Sequence, residues 1–194
     1  MELGSCESDA GLESAPSLPI DGGGSPVWDR VVGIDPGLNV TGYAVVDPGP
    51  RGPTVVEAGV IRPGSGCRAL GQRLDYIYRN LQELLAAYPP GALALEQVHS
   101  HIKFPRTAIL MSHARGVIVL AAAGRGIPVF GYAAARVKKT LTGSGKAPKE
   151  QMQRAIQTEL RLEELPEPHD VADACALALC HYQVGRSLRG LKGL

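Results

Sequence analysis

The chain has 194 residues, 44% hydrophobic and 20% charged, with a formal net charge of +1. That length supports one substantial buried core rather than two, and the composition is that of a soluble globular protein. The charge is uneven: residues 1–26 hold Glu2, Glu7, Asp9, Glu13 and Asp21 with no Lys or Arg, which leaves 14 acidic against 20 basic side chains, or +6, on residues 27–194. Such a balance suits a polyanionic partner without requiring one.

The first 26 residues are rich in Gly, Ser, Pro and acid and lack apolar periodicity, so they read as a disordered tail. No basic start followed by an apolar run marks a secretory signal. No stretch is expected to span a bilayer, so no membrane partner is expected. Cys6, Cys67, Cys175 and Cys180 are scattered, with no Cys-x-x-Cys pair and no His at zinc spacing. They read as reduced thiols of a cytoplasmic protein.

Arg30 to Ile34 begins a short apolar strand, and a turn through Pro36, Gly37 and Asn39 leads to a second strand from Thr41 to Val46. Asp47-Pro48-Gly49-Pro50 is a turn signal before a third strand, Thr54 to Ile61. Short connections between three strands imply an antiparallel meander. From Arg68 the period changes: Leu70, Leu74, Ile77, Tyr78, Leu81, Leu84 and Leu85 recur every three or four residues, and Pro89-Pro90-Gly91 stops the helix. Ala92 to Glu96 is a buried strand, Pro105 to Gly124 a long helix and Pro128 to Tyr132 a fifth strand. Ala134 to Leu141, Lys149 to Leu162 and His169 to about Val184 read as helices, and residues 187–194 as a flexible tail. The order βββαβαβααα predicts an α/β fold, a mixed five-stranded sheet flanked by helices, over residues 27–186.

Four carboxylates sit where apolar elements end. Asp35 closes Val31-Val32-Gly33-Ile34, Glu96 closes Leu93-Ala94-Leu95, and Asp170 and Asp173 open a helix otherwise made of Ala, Leu, Val and Cys. Asp35 before Pro-Gly could simply start a turn, and Asp170 could be a helix N-cap. Glu96 is harder to explain that way, because Glu is a poor strand residue and a buried carboxylate needs a partner. Asp170 and Asp173 are three apart and share a helix face. Together the four look like an oxygen-rich pocket for hard divalent cations. A cation pair roughly 3.5–4 Å apart can activate water and stabilise a departing oxygen at phosphorus.

Several motifs now carry a family resemblance. Gly33-Ile34-Asp35-Pro36-Gly37-Leu38, Thr41-Gly42-Tyr43-Ala44, Leu95-Glu96-Gln97-Val98, Ala114-Arg115-Gly116, Val137-Lys138-Lys139-Thr140, Gly143-Ser144-Gly145-Lys146-Ala147-Pro148-Lys149 and Asp170-Val171-Ala172-Asp173-Ala174 are similar, in order, to RuvC, the bacterial Holliday junction resolvase family. The resemblance spans about residues 30–184. It implies an RNase H-like fold, a homodimer and symmetric nicking of a four-way DNA junction into ends that ligase can seal. It also implies two Mg²⁺ per active site, which Mn²⁺ can replace, and a RuvA/RuvB-type branch-migration partner in the cytoplasm, at the nucleoid. On its motifs Asp35, Glu96, Asp170 and Asp173 are the catalytic, metal-binding carboxylates, Lys138 and Lys149 contact DNA, and His169 is a candidate proton-transfer group. Relatives carry an aromatic residue three positions after the metal-binding Glu, where it stacks on a junction base. This chain has His99 there and Phe104 nearby, and either can serve.

Lys146 and Arg106 join Lys103, Arg115, Arg136, Lys138, Lys139 and Lys149 as basic residues suited to phosphates, although solvated helix faces carry such charges too. Gly143-Ser144-Gly145-Lys146 is not a P-loop: Thr140 stands at the first Gly position and Ala147 follows the Lys. An apolar helix such as Pro105 to Gly124 is more often core, but its small residues would let it pack against a symmetry mate, and with the resemblance this favours it as the dimer element. Two other classes compete. Actin-like sugar kinases also open on Asp-x-Gly but need a second nucleotide-binding domain, and a non-catalytic junction binder would have no use for all four acids. The YqgF-type putative resolvases share the expected fold, but Glu96-Gln97-Val98 and Asp170-x-x-Asp173 fit RuvC better.

Overall fold

In the computed structural model, the chain is described at residues 30–97, 105–164 and 166–192. Its strands are β1 (Val31–Asp35), β2 (Thr41–Asp47), β3 (Thr54–Ile61), β4 (Ala92–Glu96) and β5 (Val129–Tyr132). The helices are α1 (Leu70–Ala87), α2 (Pro105–Ala123), α3 (Ala134–Thr142), α4 (Lys149–Leu160) and α5 (His169–Lys192). The element order is the expected one. Helix α5 runs through residues 187–192, beyond the end at Val184 that its apolar pattern suggested. The acidic segment 1–26 lies outside the described residues.

The five strands form one sheet in the order β3-β2-β1-β4-β5. β1 pairs antiparallel with β2 and β2 with β3, whereas β1–β4 and β4–β5 are parallel. Helical crossovers through α1 and α2 make the parallel pairs possible.

Side-chain alternation divides the core in two. Val32, Ile34, Val45, Leu93 and Leu95 pack beneath Ile77, Leu81, Leu84 and Leu85 of α1 and Ala114, Ile118, Ala121 and Ala122 of α2. On the opposite face Val31, Ala44, Val46, Ala92, Ala94, Phe130 and Tyr132 pack against α5, with Val137 of α3 and Met152, Ile156 and Leu160 of α4. Small residues on this second face let α5 come close. A Cβ at Gly33 would lie 2.1 Å from the Ala174 carbonyl oxygen, and one at Gly42 would lie 2.0 Å from that of Asp170. Both obstacles are backbone, so larger residues are excluded unless the helix moves.

One expectation needs correction. By length and composition alone, Arg106–Ala123 of α2 is apolar enough to cross a membrane. Ala114, Ile118, Ala121 and Ala122 are nevertheless buried against the rest of the domain. Its outer face carries Ile109 and Leu120, at 59% and 64% exposure.

Candidate active site

The sheet places the first two acids. Ile34 is in register with Leu95 on the parallel neighbour, so Asp35 and Glu96, one residue further on, end adjacent strands at the same edge. Alternation turns both toward the α5 face, since Val31 and Gly33 precede Asp35 there, and Ala92 and Ala94 precede Glu96.

The third and fourth acids arrive through glycine. Asp35 pairs with Gly42 of β2. Against Gly42, with no side chain between, lies the backbone of Asp170 in the first turn of α5. Asp173, three residues on, shares that helical face. Four carboxylates from β1, β4 and α5 are thereby gathered at one mouth of the domain.

Electrostatics confirms the proximity. Burial first, then the charges of Glu96, Asp173 and Asp170, push the Asp35 carboxyl up to about 7. Glu96 also lies within side-chain hydrogen-bonding reach of Asp35, which raises it further. Asp173 reaches solvent at the rim, yet partial burial raises its pKa as well. Lys149 is the strongest influence opposing that rise, followed after Asp170 by His169 and Lys138. Lys149, the first residue of α4, and Lys138 of α3 therefore flank the acidic mouth rather than an unrelated surface.

The turn that follows Asp35 is braced from several sides. The Thr41 hydroxyl donates to the Gly37 carbonyl at 2.6 Å, and Leu38 is buried in the α1–α2 core. Arg73 of α1 donates from Nε to the Cys67 carbonyl at 3.0 Å and from Nη1 to the Asn39 side chain. Behind Glu96, its β5 register partner Tyr132 hydrogen-bonds His181 of α5, hydroxyl to Nδ1, at 2.8 Å. Sequence inspection missed Arg73, Thr41, Tyr132 and His181 as supports. Only Thr41, so close to the Asp-Pro-Gly turn, offered a local signal.

Other candidates fall elsewhere. Lys146 is exposed in the turn between α3 and α4, and Arg106 is exposed in the first turn of α2. His99 and Phe104 lie outside the described residues. Cys175 and Cys180 are buried free thiols, and burial pushes Cys175 up to about 12, which excludes a reactive thiolate at neutral pH.

The donor set fits a hard divalent cation. Burial, and then the charges of Glu96, Asp173 and Asp170, raise the cost of ionising Asp35, and a dication would offset both. Among the described residues, no group of three His, Cys, Asp or Glu side chains already stands as a closed ligand cage.

Residues 31–181 match the model of the crossover junction endodeoxyribonuclease RuvC family. The chain belongs to that family. A RuvC of Rhodopirellula baltica is 53% identical over 154 residues, covering 78% of this chain and 85% of the relative. One from Pelotomaculum thermopropionicum is 42% identical over 151 residues, covering 78% and 91%. In three dimensions the chain is similar to T. thermophilus RuvC solved with a Holliday junction substrate. The TM-score is 0.76 at 31% identity, over 82% of this chain and 96% of that one. The fold is therefore RNase H-like.

Proposed function

We propose that this protein is a structure-selective endonuclease that resolves four-way DNA junctions by metal-dependent phosphodiester hydrolysis, in recombination and repair. The observation that carries the proposal is the meeting of Asp35, Glu96, Asp170 and Asp173, with Lys138 and Lys149 beside them, in a chain of the RuvC family. A similar chain was solved with a Holliday junction, which supports the same substrate here.

Asp35, Glu96, Asp170 and Asp173 would hold two Mg²⁺, with Mn²⁺ able to replace them. When bound, the ions lower the pKa of water and stabilise charge on the leaving oxygen. The carboxylates set where the scissile phosphate can sit, and their charge repels it until it is offset. Lys149 and Lys138 supply positive charge on the α3–α4 side, where they would hold phosphate oxygens of the cut strand. His169, near Asp173, would be the candidate for proton transfer at the rim. Water adds to phosphorus as the sugar oxygen departs, and the departing oxygen takes up the proton.

A junction presents two equivalent strands, so symmetric cutting needs two sites. The exposed face of α2 would supply the homodimer contact. Lys146 and Arg106 would contact flanking phosphates, with His99 or Phe104 stacking on an opened base. Residues 27–186 would form the nuclease domain and residues 1–26 an acidic appendage. The enzyme would act in the cytoplasm, at the nucleoid, with a RuvA/RuvB-type branch-migration complex.

The decisive experiment compares a synthetic four-way junction, a linear duplex and a Y-fork, each with and without Mg²⁺. Cutting confined to the junction with Mg²⁺ is expected. Asp35→Asn should abolish it while leaving junction binding largely intact; undiminished cutting by that variant would falsify the site.

A further inference from the structure

We propose that Gln97 determines cleavage-site preference, by hydrogen-bonding a base edge next to the scissile phosphate. The inference rests on the reading of Glu96 as part of the cleavage centre. Gln97 is the next residue, and its backbone N–H donates to the Tyr132 carbonyl at 2.9 Å, extending the β4–β5 ladder by one step. The backbone at Gln97 is thus held by the sheet.

Its side chain leaves the opposite face of the sheet from Glu96. There it rests on Gly131 of β5: a Cβ on that glycine would meet Gln97 Cγ at 3.0 Å and Nε2 at 3.1 Å. Gly131 is a bare platform on which the Gln97 amide lies. The residue is half-buried, and among the described residues its side chain makes no hydrogen bond. A seated amide has lost rotamer freedom, so less is lost when it takes a ligand.

The chemistry of the amide selects the ligand. A phosphate oxygen needs only donors, which Lys138 and Lys149 already supply on the other side of the mouth. An amide carries a donor and an acceptor side by side and pairs with a base edge that does the same, as adenine does with its N6 amino group and N7. Gln97 follows Glu96 at the same edge of the sheet, so from the face opposite the carboxylates its amide would meet nucleotides that flank the cut. Backbone contacts position DNA and base contacts specify it, so Gln97 belongs to the second kind.

The test measures cutting rates on four-way junctions that differ only in the nucleotides flanking the cut, at saturating protein and Mg²⁺. Wild type is compared with Gln97→Ala, the isosteric Gln97→Met, and Gly131→Ala, which keeps the amide but lifts it from its seat. Gln97→Ala and Gln97→Met are expected to narrow the spread between favoured and disfavoured sequences by roughly tenfold, with junction affinity within about twofold of wild type. Gly131→Ala should change the preference in the same direction while its unfolding temperature is followed. If Gly131→Ala fails to fold, the two Gln97 variants decide alone. A preference unchanged in both Gln97 variants overturns the proposal, as does an equal loss of affinity on every sequence. Glu96→Gln is run in parallel: if that variant cuts normally, the reading of the cleavage centre has failed, and the Gln97 result is judged separately on its own sequence profile.

Discussion

At the scale of single residues, Asp35 combines a cost to the fold with a task. Its carboxyl ordinarily ionises at 3.8 and is pushed up to about 7 in the folded chain. Below pH 3.8 it is protonated in both folded and unfolded states, and the fold is not penalised. As pH rises through 7 the folded carboxyl must ionise among three other acids, and that stability is lost. At 1.4 kcal/mol per pH unit, the interval sets an upper bound of about 4 kcal/mol. Asp35→Asn should therefore unfold at a higher temperature than wild type in EDTA at pH 8, with the gap closing toward pH 4. An equal gap at both pH values would show that Asp35 is not electrostatically strained. His181 has the opposite sign. Burial lowers it from 6.5 to about 4, keeping it neutral beside the Tyr132 hydroxyl. Its penalty appears as pH falls from 6.5 to 4, so Asp35→Asn should show a steeper acid loss of stability than wild type between those values. The lysines act on substrate instead. Lys149→Ala and Lys138→Ala should each weaken binding to all junction sequences about equally and reduce the salt-dependence slope by about 1.

Between elements, the site depends on how closely α5 approaches the sheet, and two glycines set that distance. Gly33→Ala and Gly42→Ala introduce the same methyl group against different parts of α5, Ala174 and Asp170 respectively. Both should destabilise by about 1–3 kcal/mol, the usual cost of overpacking. Gly42→Ala pushes on the backbone of Asp170 itself, whereas Gly33→Ala pushes on Ala174; with Asp170 in the proposed metal site, Gly42→Ala should lose cutting at least tenfold more than Gly33→Ala at matched stability. Chemical denaturation beside single-turnover cutting measures both quantities, and parallel losses would show that α5 moves as a rigid whole. The four acids were legible in the sequence because each interrupts an apolar element, and local pattern suffices to see that. Their convergence was not, because it depends on Gly42 touching Asp170 across more than a hundred residues of chain. The same holds for Lys149: its family motif suggested a DNA contact, while its influence on Asp173 appears only once α3, α4 and α5 are packed. The antiparallel meander and the mixed sheet followed from loop lengths and the alternation of strands with helices, which are local, whereas the placing of β1 between β2 and β4 appears only in the folded chain. The Tyr132–His181 bond and the Arg73 brace left no pattern, since each joins two ordinary residues of different elements.

The whole molecule carries one feature that a single chain does not explain. Along α2, Ile109, His113, Gly116, Leu120 and Ala123 are all exposed, spaced four, three, four and three residues apart. That is the spacing of a helix seam meeting another helix. Gly116, at its middle, has open space above it, which lets two backbones cross closely. The opposite face, with Ala114, Ile118, Ala121 and Ala122, is already committed to the core. A helix apolar on both faces is unstable in water unless its second face is covered, and in the proposed homodimer a second copy of the chain would cover it with the same seam. Two sites held at a fixed separation would then cut both strands of a junction before it dissociates. Leu120→Arg places a charge in that seam without touching the core of its own domain. The variant should sediment as a monomer, unfold within a few degrees of wild type, and still nick. On a supercoiled plasmid bearing an extruded cruciform, wild type should yield mainly linear product and Leu120→Arg mainly nicked circles, because paired incisions become two independent encounters. A dimeric Leu120→Arg protein that still linearises the plasmid would place the subunit contact away from α2.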